Sequence, residues 1–299
     1  YGDVGGKIHT GRSRNDQVLT ALRLYEKDAL KKIENLLQEL RKKLAALAKK
    51  EGETLLPGYT HMQKAMPTTI KMWLECFIAS LTDSLIILQN TYNLIDASPL
   101  GTGAGYGIPV FSLNRKMTSD LLGFGKIIEN PIYAQMTRGK YEIAILHALT
   151  QIMYDINKFS TDLMLFTMKE FGYIELPSEF CTGSSVMPQK KNPDVLELLR
   201  GKYHIVLGEE YKVKSIVANL MSGYNRDVQL TKEPVMTSLE IVEQCMVIMC
   251  LLIPNLKINR EKCSAAMTPE LYATEEAYAL VKKGMPFRQA YKEIGKKYS

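Results

Sequence analysis

The sequence predicts an all-α protein: an elongated bundle of long helices followed by a small helical C-terminal domain. Apolar residues recur at intervals of three and four over stretches of twenty residues or more, as on one face of a helix. Alternating strand patterns are scarce, and no strand–helix–strand rhythm is present. Helix-on-helix packing is therefore the expected architecture.

Five long helices are predicted. The first is amphipathic, with Lys and Arg opposite its leucines, whereas the second and third are apolar around most of their circumference. The fourth is expected to begin at Asn192-Pro193-Asp194, where Asn192 can cap the helix and Asp194 complements its dipole. The expected bounds are 17–50, 70–94, 141–171, 192–220 and 233–252, with shorter helices near 269–283 and 287–297.

Three domain segments are expected. Residues 1–16 read as the tail of an N-terminal domain with a substrate-binding loop, 17–256 as the central bundle, and 257–299 as the start of the C-terminal domain. Because the chain opens with Tyr1 rather than Met, we expect Tyr1 to be an internal start. Helices that are apolar on nearly all sides usually need partner subunits, which predicts a homo-oligomer.

Composition argues against several classes of function. Thirty-eight basic and 32 acidic residues leave a dispersed net charge of +6, which favours a small anionic substrate over nucleic acid or an acidic membrane. The apolar stretch 72–88 contains Glu75 and Asp83, so it is predicted to be a buried helix, not a membrane span. Five cysteines without a CxxC pair indicate neither a disulfide framework nor a zinc site, and favour a reducing, cytoplasmic compartment.

Two polar segments precede long helices. Segment 6–17 contains Arg14 and Asn15, which could bind a carboxylate, but an N-capping loop with surface arginines explains the composition equally well. Segment 58–67 places Thr60 and His61 in a turn bounded by Gly and Pro. A lone His is more often structural, yet beside a hydroxyl in such a loop it is a candidate acid or base.

Two further segments are rich in small residues. The glycine run 101–107 lacks the Gly-Lys-Ser/Thr ending and preceding strand of a phosphate loop, so close backbone packing is the favoured interpretation. Segment 182–194 carries two Ser, two Lys and one Asn. Without a Gly-x-Ser-x-Gly elbow it does not support serine-hydrolase chemistry, and it is predicted to be a mobile anion-binding loop.

The last of these segments carries a long motif. Residues 183–193 match Gly-Ser-Ser-x-Met-Pro-x-Lys-x-Asn-Pro, and on this motif the chain resembles the fumarase and aspartase superfamily. The form of residues 189–194 and of segment 9–18 resembles the argininosuccinate lyase family within it. Further matches lie at 58–63, 224–229, 232–234 and 283–288, so the resemblance covers essentially the whole chain.

The resemblance implies an elimination that splits argininosuccinate into arginine and fumarate. Carried over position by position, it implies Ser184 and His61 as the catalytic pair, with Glu197 as the carboxylate partner of the histidine. It implies no metal or organic cofactor. The substrate-binding positions that it implies are Arg14, Asn15, Thr60, Lys190, Asn192, Tyr224, Gln229 and Lys232.

The resemblance also implies a chain truncated at both ends, and a homotetramer in which loops from three subunits form each site. Two alternatives stay open: another fumarate-releasing lyase of the superfamily, and a non-catalytic relative of the lens-crystallin kind. The chain departs from the family pattern at Gly139-Lys140, where an acidic and an aromatic residue usually follow the Arg, and at Gly105-Tyr106. The first departure concerns the role of the loop around Arg138, and the second lies in the glycine run 101–107.

Overall fold

The computed structural model describes residues 2–298 and is 69% helical, which confirms the predicted all-α class. The helices number ten within these residues. They are α1 Gly2–Gly6, α2 Arg14–Glu51, α3 Ile70–Ile95, α4 Arg115–Leu121, α5 Pro131–Thr167, α6 Asp194–Val217, α7 Lys232–Leu252, α8 Arg260–Ala265, α9 Ala273–Lys282 and α10 Phe287–Tyr298.

Short strands pair two by two between the helices. A hairpin is followed by one parallel and one antiparallel pair, each of two residues per strand. The strands are β1 Leu55–Thr60 with β2 Gln63–Thr69, β3 Ala97–Ser98 with β4 Lys126–Ile127, and β5 Ile174–Glu175 with β6 Lys257–Ile258. Single 3₁₀ turns occur at Lys7–His9, Ser178–Phe180, Arg226–Thr231, Ile253–Asn255 and Pro269–Tyr272.

The predicted long helices are confirmed, with two corrections. Helix α5 begins at Pro131 instead of 141, and its backbone leaves helical geometry at Arg138 and Gly139 before it continues. The expected helix start at Asn192 is wrong, because α6 begins at Asp194 and the Asn192 side chain donates to the Gly183 carbonyl at 3.4 Å. The β1–β2 hairpin was not predicted from the pattern.

The chain forms two compact units, and the long helices contribute residues to both. Unit one comprises Tyr1–Leu40, Leu81–Lys158 and Leu198–Cys250; unit two comprises Arg41–Ser80, Phe159–Glu197 and Leu251–Ser299. The predicted domain boundary near residue 257 stays a prediction.

Each unit has its own apolar interior. In unit one the buried side chains include Leu30 and Ile33 of α2, each 1% exposed or less. In unit two the Trp73 ring stacks on Phe159 at 5.2 Å between centroids. Burying one such side chain stabilises the folded state by about 1.5–3 kcal/mol.

One described segment is long and apolar enough to cross a membrane. Arg226–Asn255 has a mean hydropathy of 1.8 over its most apolar window, of which 56% is buried inside the structure. Buried core helices of soluble proteins have the same length and composition, so this is weak evidence for a span.

Candidate active site

The start of α2 is fixed by reciprocal capping. The Ser13 hydroxyl accepts the Asn15 N–H at 3.2 Å, and the Asp16 carboxylate accepts the Ser13 N–H at 2.9 Å. Such a capping box satisfies the backbone donors that a helix start leaves unpaired. It places Arg14 and Asn15 in the first turn, where the positive end of the helix favours anions.

The same carboxylate anchors the glycine run. The second oxygen of Asp16 accepts the N–H groups of Gly101 at 3.0 Å and Gly103 at 2.9 Å, and Asp16 is fully buried. Both glycines have positive φ, at 84° and 62°, a conformation that other residues rarely adopt. The run is therefore an internal carboxylate-binding loop that secures the start of α2, consistent with the predicted close backbone packing.

A cavity of about 310 Å³ opens in unit one beside this helix start. Its described lining is strongly cationic: four Arg or Lys side chains and no carboxylate. Like charges gathered in one cleft favour a polyanionic ligand, because clefts focus their field. The lining residues are Arg14, Asn15, Val18, Arg138, Tyr224, Arg226, Gln229 and Lys232.

Tyr224 and Gln229 are joined within this lining. The Gln229 side-chain amide donates to the Tyr224 hydroxyl oxygen at 3.0 Å, across the start of the Arg226–Thr231 turn. Lys232 is the first residue of α7. The 3₁₀ helix Arg226–Thr231 continues directly into α7 through Lys232, so the two helices hold Arg226, Gln229 and Lys232 along one wall of the cavity.

Arg138 closes the cavity from α5. It is 8% exposed, its Nη2 donates to the Asn15 carbonyl at 2.5 Å, and its guanidinium lies 5.3 Å from the centre of the Tyr224 ring. Burial lowers the pKa of Arg138 from its ordinary value, because the charged form loses hydration. The residue thus links two of the predicted substrate-binding residues.

A fully buried ion cluster lies behind Arg138. Arg23 contacts both Glu26 and Glu142, the latter at 3.0 Å. Burial opposes the charged form of Arg23, yet the two carboxylates outweigh it and raise its pKa. Burial also raises the pKa of Glu26 to about 8, against the opposing effect of Arg23. Burial therefore favours the neutral form of Glu26.

Gly139 explains the first departure from the family pattern. Its φ is 82°, and a Cβ built on it would lie 2.3 Å from Cγ1 of Val217. Neither an acidic nor any other side chain fits there. Lys140 is exposed, with its amine 5.8 Å from the centre of the Tyr133 ring.

His61 lies at the tip of the β1–β2 hairpin in unit two. Thr60 pairs with Gln63, so His61 and Met62 form a two-residue turn with φ of 51° and 61°. Turns of this type usually contain Asn and Gly, because positive φ strains other residues. Both side chains are exposed. The turn therefore keeps a strained backbone that holds the imidazole outward.

Two contacts anchor this hairpin within unit two. The hydroxyls of Tyr59 and Tyr173 share a hydrogen bond of 2.8 Å, and Lys64 donates to the Ala266 carbonyl at 2.8 Å. Burial, together with the bond to Tyr59, raises the pKa of Tyr173. The hairpin is consequently braced on both strands next to the turn.

The loop that carries the motif is closed at its base. Thr182 and Asn192 form a two-way backbone bridge, with N–H to carbonyl distances of 3.0 and 2.8 Å. Inside the loop the Ser184 hydroxyl oxygen accepts the N–H groups of Val186 at 3.3 Å and Met187 at 3.0 Å. Two donors aimed at one oxygen stabilise negative charge on it.

The predicted residues lie in two groups, one in unit one and the other in unit two. Arg14, Asn15, Tyr224, Gln229 and Lys232 line the cavity of unit one. Thr60 and His61 lie on the hairpin of unit two. Ser184, half-exposed, and Lys190, exposed, lie in the motif loop; Asn192 is in the bridge at its base, and exposed Glu197 is in the first turn of α6.

Three cavity residues, Val18, Arg138 and Arg226, were not predicted as site residues from the sequence. Arg226 stands inside the matched segment 224–229 and could have been found there. Arg138 stands in the family pattern that Gly139-Lys140 breaks, and that pattern was the signal that could have identified it. Its place at the cavity depends on the break in α5.

Comparison with known proteins places the fold in a class of enzymes. A family model described as lyase matches residues 1–208. The structure of an EDDS lyase in complex with formate superposes with a TM-score of 0.87 at 25% identity, covering 98% of this chain and 58% of that one. Fold and family model together define a helical lyase.

Curated relatives narrow this class. The chain is 48% identical to the argininosuccinate lyase of Thermotoga neapolitana, covering 99% of this chain and 74% of the relative. It is 44% identical to that of Sorangium cellulosum, covering 98% of this chain and 68% of the relative. The chain belongs to the argininosuccinate lyase family, as its motifs predicted.

Proposed function

We propose that this protein splits argininosuccinate into arginine and fumarate by β-elimination and serves arginine biosynthesis. The observation that carries the proposal is the cationic cavity of unit one, where all five predicted residues of that unit meet. The succinyl part of argininosuccinate is a dicarboxylate. The described lining contains four cationic side chains and no carboxylate, which suits the negative charge of that dicarboxylate.

Ser184 is the proposed base. Its alkoxide takes the proton from the carbon next to a substrate carboxylate, and the electron pair of the broken C–H bond spreads into that carboxylate. The contacts of the hydroxyl oxygen with the N–H groups of Val186 and Met187 support this role, because they stabilise the alkoxide. Lys190 and Asn192 are proposed to stabilise the charge that develops on the carboxylate.

His61 is the proposed acid. The electron pair returns to form the C=C bond of fumarate while the C–N bond breaks, and His61 gives its proton to the departing guanidino nitrogen. Glu197 is proposed to orient the imidazole. Support comes from the strained turn, which holds His61 outward and exposed on an anchored hairpin. Thr60 precedes it and is proposed to contact the substrate.

We further propose a cytoplasmic homotetramer. Each complete site combines the cationic cavity of one subunit with the hairpin turn and the motif loop of two others. Exposed apolar side chains next to the proposed catalytic residues support this arrangement, since Met62 is 71% and Val186 83% exposed. Such side chains are expected to be covered in the assembly.

The test is fumarate release by the purified full-length protein, followed by absorbance. Argininosuccinate, adenylosuccinate and aspartate are offered separately, with the Ser184→Ala protein as the matched blank. Fumarate from argininosuccinate alone supports the proposal. Fumarate from another substrate places the activity elsewhere in the superfamily, and no release from any substrate favours a non-catalytic relative.

A further inference from the structure

Arg138 connects separate parts of the cavity wall. One guanidinium nitrogen donates to the main-chain carbonyl of Asn15, and the guanidinium lies near the ring face of Tyr224. Asn15 belongs to the first turn of α2, whereas Tyr224 belongs to the loop after α6. A single side chain therefore sets the distance between two segments that are more than 200 residues apart in sequence.

Hydrogen bonds from the buried ion cluster fix the backbone on both sides of Arg138. Arg23 donates to the Thr137 carbonyl at 3.3 Å, and the Glu142 carboxylate accepts the Gly139 N–H. These two contacts occupy the carbonyl and amide that the break in α5 leaves outside the regular helix pattern. The buried ion cluster consequently fixes the direction in which Arg138 leaves the helix.

Arg138 is buried, and the nearby Glu142 carboxylate offsets only part of the cost of burying its charge. Within residues 2–298 Arg138 forms no ion pair, and its Nε has no hydrogen-bond partner. A buried cation that forms no ion pair is costly to the folded state. A residue that served stability alone would gain by losing this charge, whereas a cavity that receives an anion uses it.

We propose that Arg138 is a positioning residue of the substrate cavity, one that sets the Asn15 main chain and the Tyr224 ring for a dicarboxylate substrate. This inference rests on the proposed function. A planar guanidinium can donate to a carbonyl and lie on an aromatic face at the same time. A lysine amine makes each of these contacts less well. The role therefore requires the shape of Arg as well as its charge.

Kinetics of the full-length protein test the positioning role. Two variants are compared with wild type: Arg138→Lys, which keeps the buried cation so that the protein can still fold, and Arg138→Met. Lys140→Met, on the exposed face of α5, is the matched control. Both Arg138 variants are expected to lose about 10- to 100-fold in kcat/KM for argininosuccinate, mainly through KM, because misplaced contact groups cost this much. The control is expected within twofold of wild type. Full activity of Arg138→Lys would overturn the inference.

Hydrogen exchange provides a readout that does not depend on turnover. In Arg138→Lys, amides in 13–16 and 223–229 are expected to exchange faster than in wild type, with unchanged exchange in the core of α3. Unchanged exchange in both segments would overturn the inference, even if the kinetic results had supported the inference. Wild-type protein that releases no fumarate would count against the proposed function, while the exchange comparison would still decide the role of Arg138.

Discussion

The hydroxyl oxygen of Ser184 accepts the backbone N–H of Met187 at 3.0 Å, inside the motif loop. A second N–H, from Val186, lies 3.3 Å from the same oxygen. The loop therefore supplies its own small anion site, and the atom in that site is the proposed base. Ser185, its neighbour, is exposed and has no part in this arrangement.

Ser184→Ala removes the proposed base without changing the closure of the loop by Thr182 and Asn192. Turnover of argininosuccinate is expected to fall by about two to four orders of magnitude, the usual range for a lost acid or base. Ser185→Ala is the matched control and is expected to keep wild-type turnover. Steady-state fumarate release measures both, and normal turnover of Ser184→Ala would remove this residue from the mechanism.

Lys190→Ala removes an exposed cation of the motif loop. Fumarate inhibition and substrate binding are both expected to weaken by about tenfold or more, because both ligands present the same dicarboxylate to a charge-assisted contact. The neighbouring exposed Lys191→Ala controls for a general loss of positive charge. Inhibition constants for fumarate decide the matter, and equal constants in all three proteins would contradict the placement of Lys190.

Gly139→Ala introduces a Cβ that meets Val217 at 2.3 Å, at a φ of 82°. Strain and overpacking are each expected to cost about 1–3 kcal/mol, so chemical denaturation should show a destabilised protein. Adding Val217→Ala removes the 2.3 Å contact but leaves the Cβ of that residue at 2.9 Å, so it should recover only part of the packing cost and none of the strain. Gly201→Ala is the control: its Cβ has open space and the residue is inside α6, so stability should rise slightly. A fully stable Gly139→Ala protein would show that the break in α5 tolerates a side chain.

Glu26→Gln tests the buried ion cluster through pH. Burial raises the pKa of Glu26 from 4.5 to about 8, so the folded protein binds more protons than the unfolded chain between these values. The free energy of unfolding therefore falls as pH rises through this window, and the stabilisation is lost above about pH 8. A neutral Gln should flatten the curve.

Denaturant titrations at pH 5, 6, 7 and 8 measure this effect. The exposed Glu129→Gln serves as the control, since it removes one carboxylate without touching the cluster. Its pH dependence should remain close to that of wild type. Parallel curves for Glu26→Gln and wild type would mean that Glu26 is already ionised in the folded protein.

Local patterns predicted much of the fold. The heptad-like spacing of leucines in α2 required no knowledge of distant residues, and its observed bounds, Arg14–Glu51, extend the expected helix by only a few positions. The hairpin was missed because its strands are interrupted by Pro57, Gly58 and Pro67, and its turn uses His61 and Met62 where Asn and Gly are usual. Asn192 does not cap α6 as expected, because its backbone pairs with Thr182 in a bridge instead.

The sequence alone determined the helical class and the family, and it singled out Ser184 and His61 for examination. It could do so because periodicity and an unbroken motif are local properties. Only the tertiary structure decided that Asp16 is the anion bound by the glycine run, and that Arg138 stands in the cavity wall. Both outcomes depend on segments far apart in the chain. Whether a charge is buried, and what lies opposite it, is set by packing, which no local pattern records.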